Sequence, residues 1–421
     1  MVDFDSYFAR LSDVASDEVL QAAIKKAIEN YEDKKKEWLK RMQYIPQLAK
    51  ALEERRKRSL ESLLKNVERA TEAMRYNGMK VFFAKTAEDA RETVFNLLDG
   101  EKSVMKVKSL TTEEIELNDF LEGKGIEAWE TDVGAFLLQL THGKAAHPTG
   151  VCISAQREKF AEEFSKVAGR ALSTNPQELV AFVRGFVRSK VVEAKIAISG
   201  ANAITADTGS IYLITNEGND RLVTSWPEKH IVIAGIDKIF EDRDTADLYT
   251  RVMPFYTTGM GFTQFVSIIT GISSSSDIER ISVRPACGPR EIDVVLLDNG
   301  RSEMATSEDF RDALVCLRCG ACLMSCPVWK IIAQEYGQST YMGGMGTPFT
   351  IFTAGIEKAA LQAFTCLECG KCKEVCPVGI DVRRMIGKTR ELLAANHLVP
   401  AKIEAIKESI LANGSPYAQG Q

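Results

Sequence analysis

Eight of the ten cysteines in this 421-residue chain fall into two short arrays of the same spacing. The first reads Cys316-Leu-Arg-Cys319-Gly-Ala-Cys322-Leu-Met-Ser-Cys326-Pro327, and the second reads Cys366-Leu-Glu-Cys369-Gly-Lys-Cys372-Lys-Glu-Val-Cys376-Pro377. Thiols at two-residue intervals force a short loop to wrap one centre. Three of them suit three irons of a cubane, while the cysteine before the proline points away and serves the neighbouring cubane. Each array then needs its twin. The expected sets are Cys316, Cys319, Cys322 and Cys376 for one [4Fe-4S] cluster, and Cys366, Cys369, Cys372 and Cys326 for the second. Structural zinc is the main rival, but it takes two separated Cys-x2-Cys pairs and closes at four ligands.

The rest of the composition narrows the setting. A chain this long predicts two or three domains with an ample core. Net charge is −5, so no global field favours nucleic acid or an acidic membrane. No run of about 18 apolar residues suggests a membrane span, and Met1-Val-Asp-Phe-Asp-Ser6 does not read as a secretory signal. Cysteines in metal spacing rather than a disulfide framework fit a reducing cytoplasm.

Four regions are expected along the chain. Residues 1–75 read as helical throughout, with Leu20, Ile24, Ala27, Ile28 and Tyr31 at three- and four-residue intervals and Pro46 marking a boundary or kink. Between Lys34 and Arg69 stand twelve Lys/Arg against five Asp/Glu, which reads as a solvated helical face. Residues 76–302 alternate short β-rich runs with helical periods, the pattern of an α/β sheet covered on both faces. The predicted strands are Lys80–Ala84, Val104–Val107, Glu127–Trp129, Lys195–Ile198, Ser210–Ile214, Ile231–Ala234 and Asp293–Leu297. The predicted helices include Ala87–Leu98, Thr112–Glu122, Arg157–Ala171 and Pro176–Lys190. The serine run in Ile272–Asp277 reads as an exposed turn. Residues 303–400 read as helical around the cluster loops. The 39 residues between Cys326 and Cys366 include an apolar helix, Phe352–Ala363, after a glycine-rich bend at Tyr341–Pro348. A helical ferredoxin, similar to the cluster domains of succinate dehydrogenase and heterodisulfide reductase, is expected there. Residues 401–421 form a C-terminal helix and tail.

Within the α/β region the densest polar segment runs from Gly200 to Arg221. Its glycines, hydroxyls and amides can cradle an anion, and are equally good turn chemistry. The candidate ligand-binding residues are Lys108, Asn202, Thr208, Gly209, Asn216 and Glu217. No GxGxxG or P-loop supports nucleotide binding. Thr111 or Thr112 is expected as a helix N-cap, with Glu114 near a capping-box position. His147 and His230 read as hydrogen-bonded structural residues. Cys152 and Cys287 read as small buried side chains. Arg318, Glu368, Lys371, Lys373 and Glu374 read as solvated surface charge around the arrays.

Taken together these segments resemble the LUD-domain iron–sulfur proteins of the lactate-utilisation system. The likeness runs through Lys106–Ser109, Glu113-Glu114-Ile115, Leu117-Asn118, Glu130-Thr131-Asp132-Val-Gly134 and Gln139-Leu140. It continues through Gly200-Ala-Asn202, Thr208-Gly209, Asn216-Glu-Gly-Asn219 and Arg221, then Tyr336-Gly337 and both arrays, covering about residues 76–390. At Ala145-Ala-His147-Pro-Thr-Gly-Val-Cys152-Ile-Ser154 the family's second histidine is replaced by Ser154. The resemblance implies an α/β domain similar to the sugar-isomerase and CoA-transferase fold. It also implies a complex that oxidises L-lactate to pyruvate with a cysteine-rich heterodisulfide-reductase-like protein and a second LUD protein or a flavoprotein dehydrogenase.

Three functions are therefore expected in order. The first is an electron-transfer subunit passing single electrons through two [4Fe-4S] clusters, in a complex oxidising L-lactate or a related 2-hydroxy acid, or in a heterodisulfide-reductase-like complex. The second is a catalytic subunit that binds a small carboxylate in the α/β domain. The third is a scaffold whose clusters only stabilise the helical domain.

Overall fold

A computed structural model describes residues 2–337 and 339–417 of the chain. Ten strands form two sheets: β1 Lys80–Ala84, β2 Ser103–Lys106, β3 Glu127–Glu130, β4 Ile196–Ser199, β5 Ala203–Thr205, β6 Ile211–Thr215, β7 Lys229–Gly235, β8 Ile239–Phe240, β9 Phe265–Ile269 and β10 Glu291–Leu297. The larger sheet has the order β1-β10-β7-β4-β2-β3, with every neighbouring pair parallel. Parallel strands need helical crossovers, which cover both faces, so the central strands are apolar without alternation. Strand β7 shows this directly. Ile231 and Ile233 share one apolar cluster with Ala90 and Val94 of helix Ala87–Leu97, while Val232 and Ala234 share another with Val67, Ala70 and Met74 of helix Leu63–Tyr76.

All seven predicted strands are present within a few residues. The three that escaped prediction, β5, β8 and β9, join β6 in a second sheet of order β8-β5-β6-β9. Strand β8 has two residues and β5 three, too short for periodicity to register. The segment expected as one helix from Thr112 to Glu122 is two, Leu110–Glu114 and Leu117–Gly123, parted by Glu116 in a left-handed conformation at φ 50°. The expected N-cap at Thr111 or Thr112 is instead Ser109, whose carbonyl takes the Thr112 hydroxyl at 2.9 Å.

The N-terminal region is four helices, Phe4–Val14, Glu18–Arg41, Ile45–Glu61 and Leu63–Tyr76, with Pro46 in the first turn of the third. They thread the molecule together. Leu20, Ile24, Ile28 and Tyr31 pack on Trp329, Tyr336 and Met342 between the arrays, whereas Leu63 to Met74 pack on the large sheet. Their basic run is not uniformly solvated. Arg56 is 4% exposed, donates to the carbonyls of Asp237 (2.8 Å) and Leu314 (3.0 Å), and lies over the Phe240 ring.

The connector between the arrays holds a short helix, Trp329–Ile332, a 3-10 turn, Ala333–Glu335, and two longer helices, Gly343–Ala354 and Ile356–Thr365, broken at Gly355. The expected bend at Tyr341–Pro348 is largely the start of the first longer helix, with Pro348 inside it. Close approach does occur there: a Cβ on Gly346 would lie 2.1 Å from the Tyr341 carbonyl oxygen. Among the described residues no helix is long and apolar enough to cross a membrane.

Candidate iron–sulfur centres and an adjoining cavity

The two arrays fold alike. Two residues after the first cysteine, Arg318 and Glu368 adopt φ 60° and 51°; Gly320 and Gly370, after the second cysteine, adopt φ 75° and 77°. A left-handed non-glycine residue costs about 1–2 kcal/mol, so its appearance at equivalent places reflects what the loops enclose. These bends aim amides at sulfur. Arg318 N–H donates to Cys316 Sγ, Glu368 N–H to Cys366 Sγ and Ile380 N–H to Cys376 Sγ, each at 3.4 Å. Short helices, Ala321–Ser325 and Lys371–Glu374, then carry the third cysteines.

Cysteines of the two arrays meet. Cys322 and Cys326, from the first array, line one pocket with Cys366, Cys369 and Cys372 of the second. Burial pushes the Cys326 thiol up, and Cys366 and Cys369 add to it. Burial likewise raises Cys372 to about 12, with Cys366 and Cys326 as neighbours. Around the other centre burial raises Cys319 to about 12 and Cys376 to about 11, with Cys316 beside both. Thiols crowded in a dry wall keep their protons unless a metal centre neutralises the thiolates, so metal binding and deprotonation are linked.

The thiols are spaced more widely than those of a zinc site. Tetrahedral zinc with bonds near 2.3 Å draws its sulfurs to about 3.8 Å from one another. Among the described residues no three cysteine sulfurs lie within 4.8 Å of each other. All-thiol donors from both arrays, with amides on three of the sulfurs, fit cubane clusters.

The centres differ in surroundings. Cys319 is buried and Cys369 exposed. Lys35 acts electrostatically on Cys319, and Arg56, Lys238 and Arg318 act on Cys316. Around the second site Leu367, Lys371, Lys373 and Glu374 are exposed. The expected solvated charge is thus found at Lys371, Lys373 and Glu374 but not at Arg318. That guanidinium is 9% exposed, lies 3.6 Å from the Phe349 ring centroid, and pairs with Asp237 at 3.1 Å.

Asp237 belongs to a buried network joining the sheet to the cluster region. Arg301 binds Asp237 Oδ1, and its two terminal nitrogens donate to Glu114 at 2.9 and 2.6 Å. Tyr341 donates its hydroxyl to Glu114, as does the Asn299 amide at 2.7 Å. Burial alone would raise the Asp237 carboxyl; the Arg301 and Arg318 guanidiniums override it and hold it far below the usual range. Glu114, expected at a helix cap, is an acceptor in this network. Asp237, Lys238 and Arg301 were not singled out from sequence. The available signal was position: they follow β7 and β10, on the carboxyl edge where α/β sheets bind ligands.

A cavity of about 300 Å³ opens on that edge against the first array, lined by Lys108, Asn202, Asn216, Glu217, Lys238 and Arg318 among others. Four of the six expected ligand residues therefore meet. Lys108 gives its ammonium to the Pro148 carbonyl, Asn202 Oδ1 accepts from Ile214 N–H (2.9 Å), and Asn216 Oδ1 accepts from Gln264 N–H (3.1 Å). Burial and the Asp132 carboxylate raise Glu217 to about 7. Thr208 and Gly209 do not line the cavity. The Thr208 hydroxyl bridges those of Thr205 and Ser210 at 2.7 Å each, and a Cβ on Gly209 would lie 2.6 Å from the Met74 nitrogen. They are turn residues packed beneath helix Leu63–Tyr76.

His147 is buried. Its Nδ1 accepts from the amides of Thr149 and Gly150 at 3.3 Å, and Nε2–H donates to the Gly320 carbonyl at 3.2 Å. Burial lowers its pKa to about 4, so it stays neutral and clamps the first array. The Ser154 hydroxyl donates to Gln334 Oε1 at 3.5 Å. His230 is buried with Nε2 at 2.7 Å from the Ser199 hydroxyl. Cys152 is half-buried with its thiol donating to the Gly134 carbonyl, whereas Cys287, expected buried, is exposed on the loop before β10.

Comparison with known proteins agrees with this architecture. The LUD domain family matches residues 67–297, and the 4Fe-4S dicluster domain family matches residues 312–380. The chain is 32% identical to lactate utilization protein B of Bacillus licheniformis over 83% of its own length and 72% of that protein. It is 30% identical to the Bacillus subtilis protein of the same name, over 84% and 72%. With that of Shouchella clausii identity is 35%, over 71% and 60%. Two [4Fe-4S] clusters are the cofactors of such a dicluster domain. The chain belongs to the LUD-domain family, as an iron–sulfur member with a 4Fe-4S dicluster domain behind the LUD domain and relatives named lactate utilization protein B.

Proposed function

We propose that this chain is the electron-transfer subunit of a multisubunit complex that oxidises L-lactate, or a related 2-hydroxy acid, to the 2-oxo acid. The observation that carries this reading is the pocket in which cysteines of both arrays meet, in a chain with a LUD domain whose relatives are named for lactate utilisation. Cys316, Cys319, Cys322 and Cys376 would hold one cluster, and Cys366, Cys369, Cys372 and Cys326 the other. When bound, such clusters take up and release one electron each.

The chain's own residues supply burial, charge and access. Lys35, Arg56, Lys238 and Arg318 favour added negative charge at the first site. Amide donors to Cys316, Cys366 and Cys376 act in the same direction. The exposed Cys369 and the 66% exposed Leu367 make the second site the one a partner reaches. Partners of matching chemistry are a cysteine-rich heterodisulfide-reductase-like protein and a second LUD protein or a flavoprotein dehydrogenase. Anaerobic mixing tests the reading: L-lactate should reduce the clusters only after a partner dehydrogenase is added. Rapid reduction of the isolated chain by L-lactate would refute a relay-only role.

A further inference from the structure

Lys238, beside the first array, makes no hydrogen bond or ion pair among the described residues, and the Asp237 carboxylate reaches it only through space. Lys106 is paired with Glu130, Arg301 with Glu114 and Asp237, and Arg318 with Asp237. Lys108 donates to Pro148 and lies 3.8 Å from Glu113. Lys238 is half-buried in the wall of the 300 Å³ cavity, and its ammonium has no hydrogen-bond or ion-pair partner among the described residues. The adjacent Asp237 is already shared by two guanidiniums. Half-buried in the cavity wall near the Arg318 guanidinium, this ammonium gives up part of its water without a counter-charge in contact. An anion in the cavity would remove that penalty.

The opposite wall limits which anion enters. Lys238 follows β7, Asn202 follows β4, Lys108 follows β2 and Asp132 follows β3, so the carboxyl edge runs from basic to acidic across the sheet. At the acidic end Asp132, Glu217 and Asp220 line the cavity, and Asp220 Oδ1 is buried without a partner. A dianion would be repelled there. A monocarboxylate with a hydroxyl on the next carbon places its charge at the basic end and donates that hydroxyl to the acidic one, whereas the corresponding keto acid accepts there from Glu217 when that carboxyl, raised to about 7, holds its proton.

We propose that this cavity binds a small 2-hydroxy- or 2-oxo-monocarboxylate anchored by Lys238 beside Arg318, and that its occupancy lowers the reduction potential of the first cluster. The ligand class deepens the lactate-oxidising reading and rests on it. The coupling follows from position: Lys238 and Arg318 both act on Cys316, so an anion that neutralises them disfavours the extra electron. Linkage makes this reciprocal. A ligand preferring the oxidised site tenfold lowers a one-electron potential by about 59 mV.

The test uses the full chain loaded anaerobically with iron and sulfide. Calorimetry with L-lactate, pyruvate, propionate and inorganic phosphate is combined with redox titration followed by electron paramagnetic resonance. L-lactate and pyruvate should bind, with propionate and phosphate at least tenfold weaker. Lys238→Met should lose binding tenfold or more, while Lys238→Arg retains it. The transition that Lys238→Met shifts without ligand should fall when L-lactate binds the native chain, and the other transition should stay. No binding by either 2-substituted acid, tightest binding by phosphate, or equal binding to Lys238→Met with iron content intact would overturn the proposal. Acid binding by a chain whose clusters cannot be cycled would instead overturn the relay reading and leave the site standing.

Discussion

Replacing Arg301 by methionine removes the cation on which the sheet and the cluster region converge. The guanidinium is 1% exposed and makes five hydrogen bonds, to Asp237 Oδ1, both Glu114 oxygens, the Asp298 carbonyl and the Tyr341 hydroxyl. Methionine keeps much of the apolar stem but leaves two buried carboxylates short of charge. Glu114 retains Tyr341 and Asn299, and Asp237 retains Arg318, so neither is stripped bare. Removing one member of a buried pair costs about 3–5 kcal/mol, and that is the expected loss. Anaerobic urea unfolding, followed by cluster absorbance and far-UV circular dichroism, measures it. The two signals should coincide in the native chain and separate in the variant, since the network ties one region to the other. Arg301→Met in a Glu114→Gln background should cost at least about 1 kcal/mol less than the sum of the single changes. Acid acts in the same direction. Asp237 is held below its ordinary 3.8, so its contribution is complete above that pH and fades as pH falls below it, less steeply in Arg301→Met. A loss under about 1 kcal/mol, with strict additivity, would refute the role given to this network.

Cys376→Ser should remove about four of eight irons and abolish the signal of the first site, although Cys376 lies in the second array; iron analysis with spectroscopy reads both. Gly320→Ala should impair cluster retention, because φ is 75° and the added Cβ would lie 2.1 Å from His147 Nε2; cluster loss on mild heating measures it, with Gly185→Ala, where nothing lies within 4 Å, as the control. His230 is held neutral by burial, its pKa lowered to about 4 from 6.5. Its contribution is therefore complete above about pH 6.5 and lost as pH falls toward 4. Urea midpoints of native chain and His230→Leu between those values should converge on acidification, and parallel curves would contradict the assignment.

What was legible in the sequence follows from the range of the interactions. The arrays could be read because six of the eight cysteines lie three residues from the nearest other cysteine and Cys326 and Cys376 four, and the parallel strands because each is an apolar run between turn residues. The second sheet escaped because β5 and β8 are three and two residues long. The ion network escaped because Glu114, Asp237 and Arg301 are far apart in the chain, and each in isolation looks like surface charge. Arg56 and Arg318 were misread for that reason. Thr208 and Gly209 show the opposite failure. Hydroxyls and glycines that cradle anions also build turns, and contact with Met74 decides between the uses. Lys238 was invisible because its significance lies in the partner it lacks.

The proposed relay requires two four-iron clusters in this chain that pass electrons singly. Iron and sulfide analysis joined to a coulometric redox titration of the full chain tests it most directly. The account predicts about eight irons and eight sulfides per chain, with two electrons taken up in two separate one-electron steps. Fewer than about six irons, or clusters silent across the accessible potential range, would contradict it.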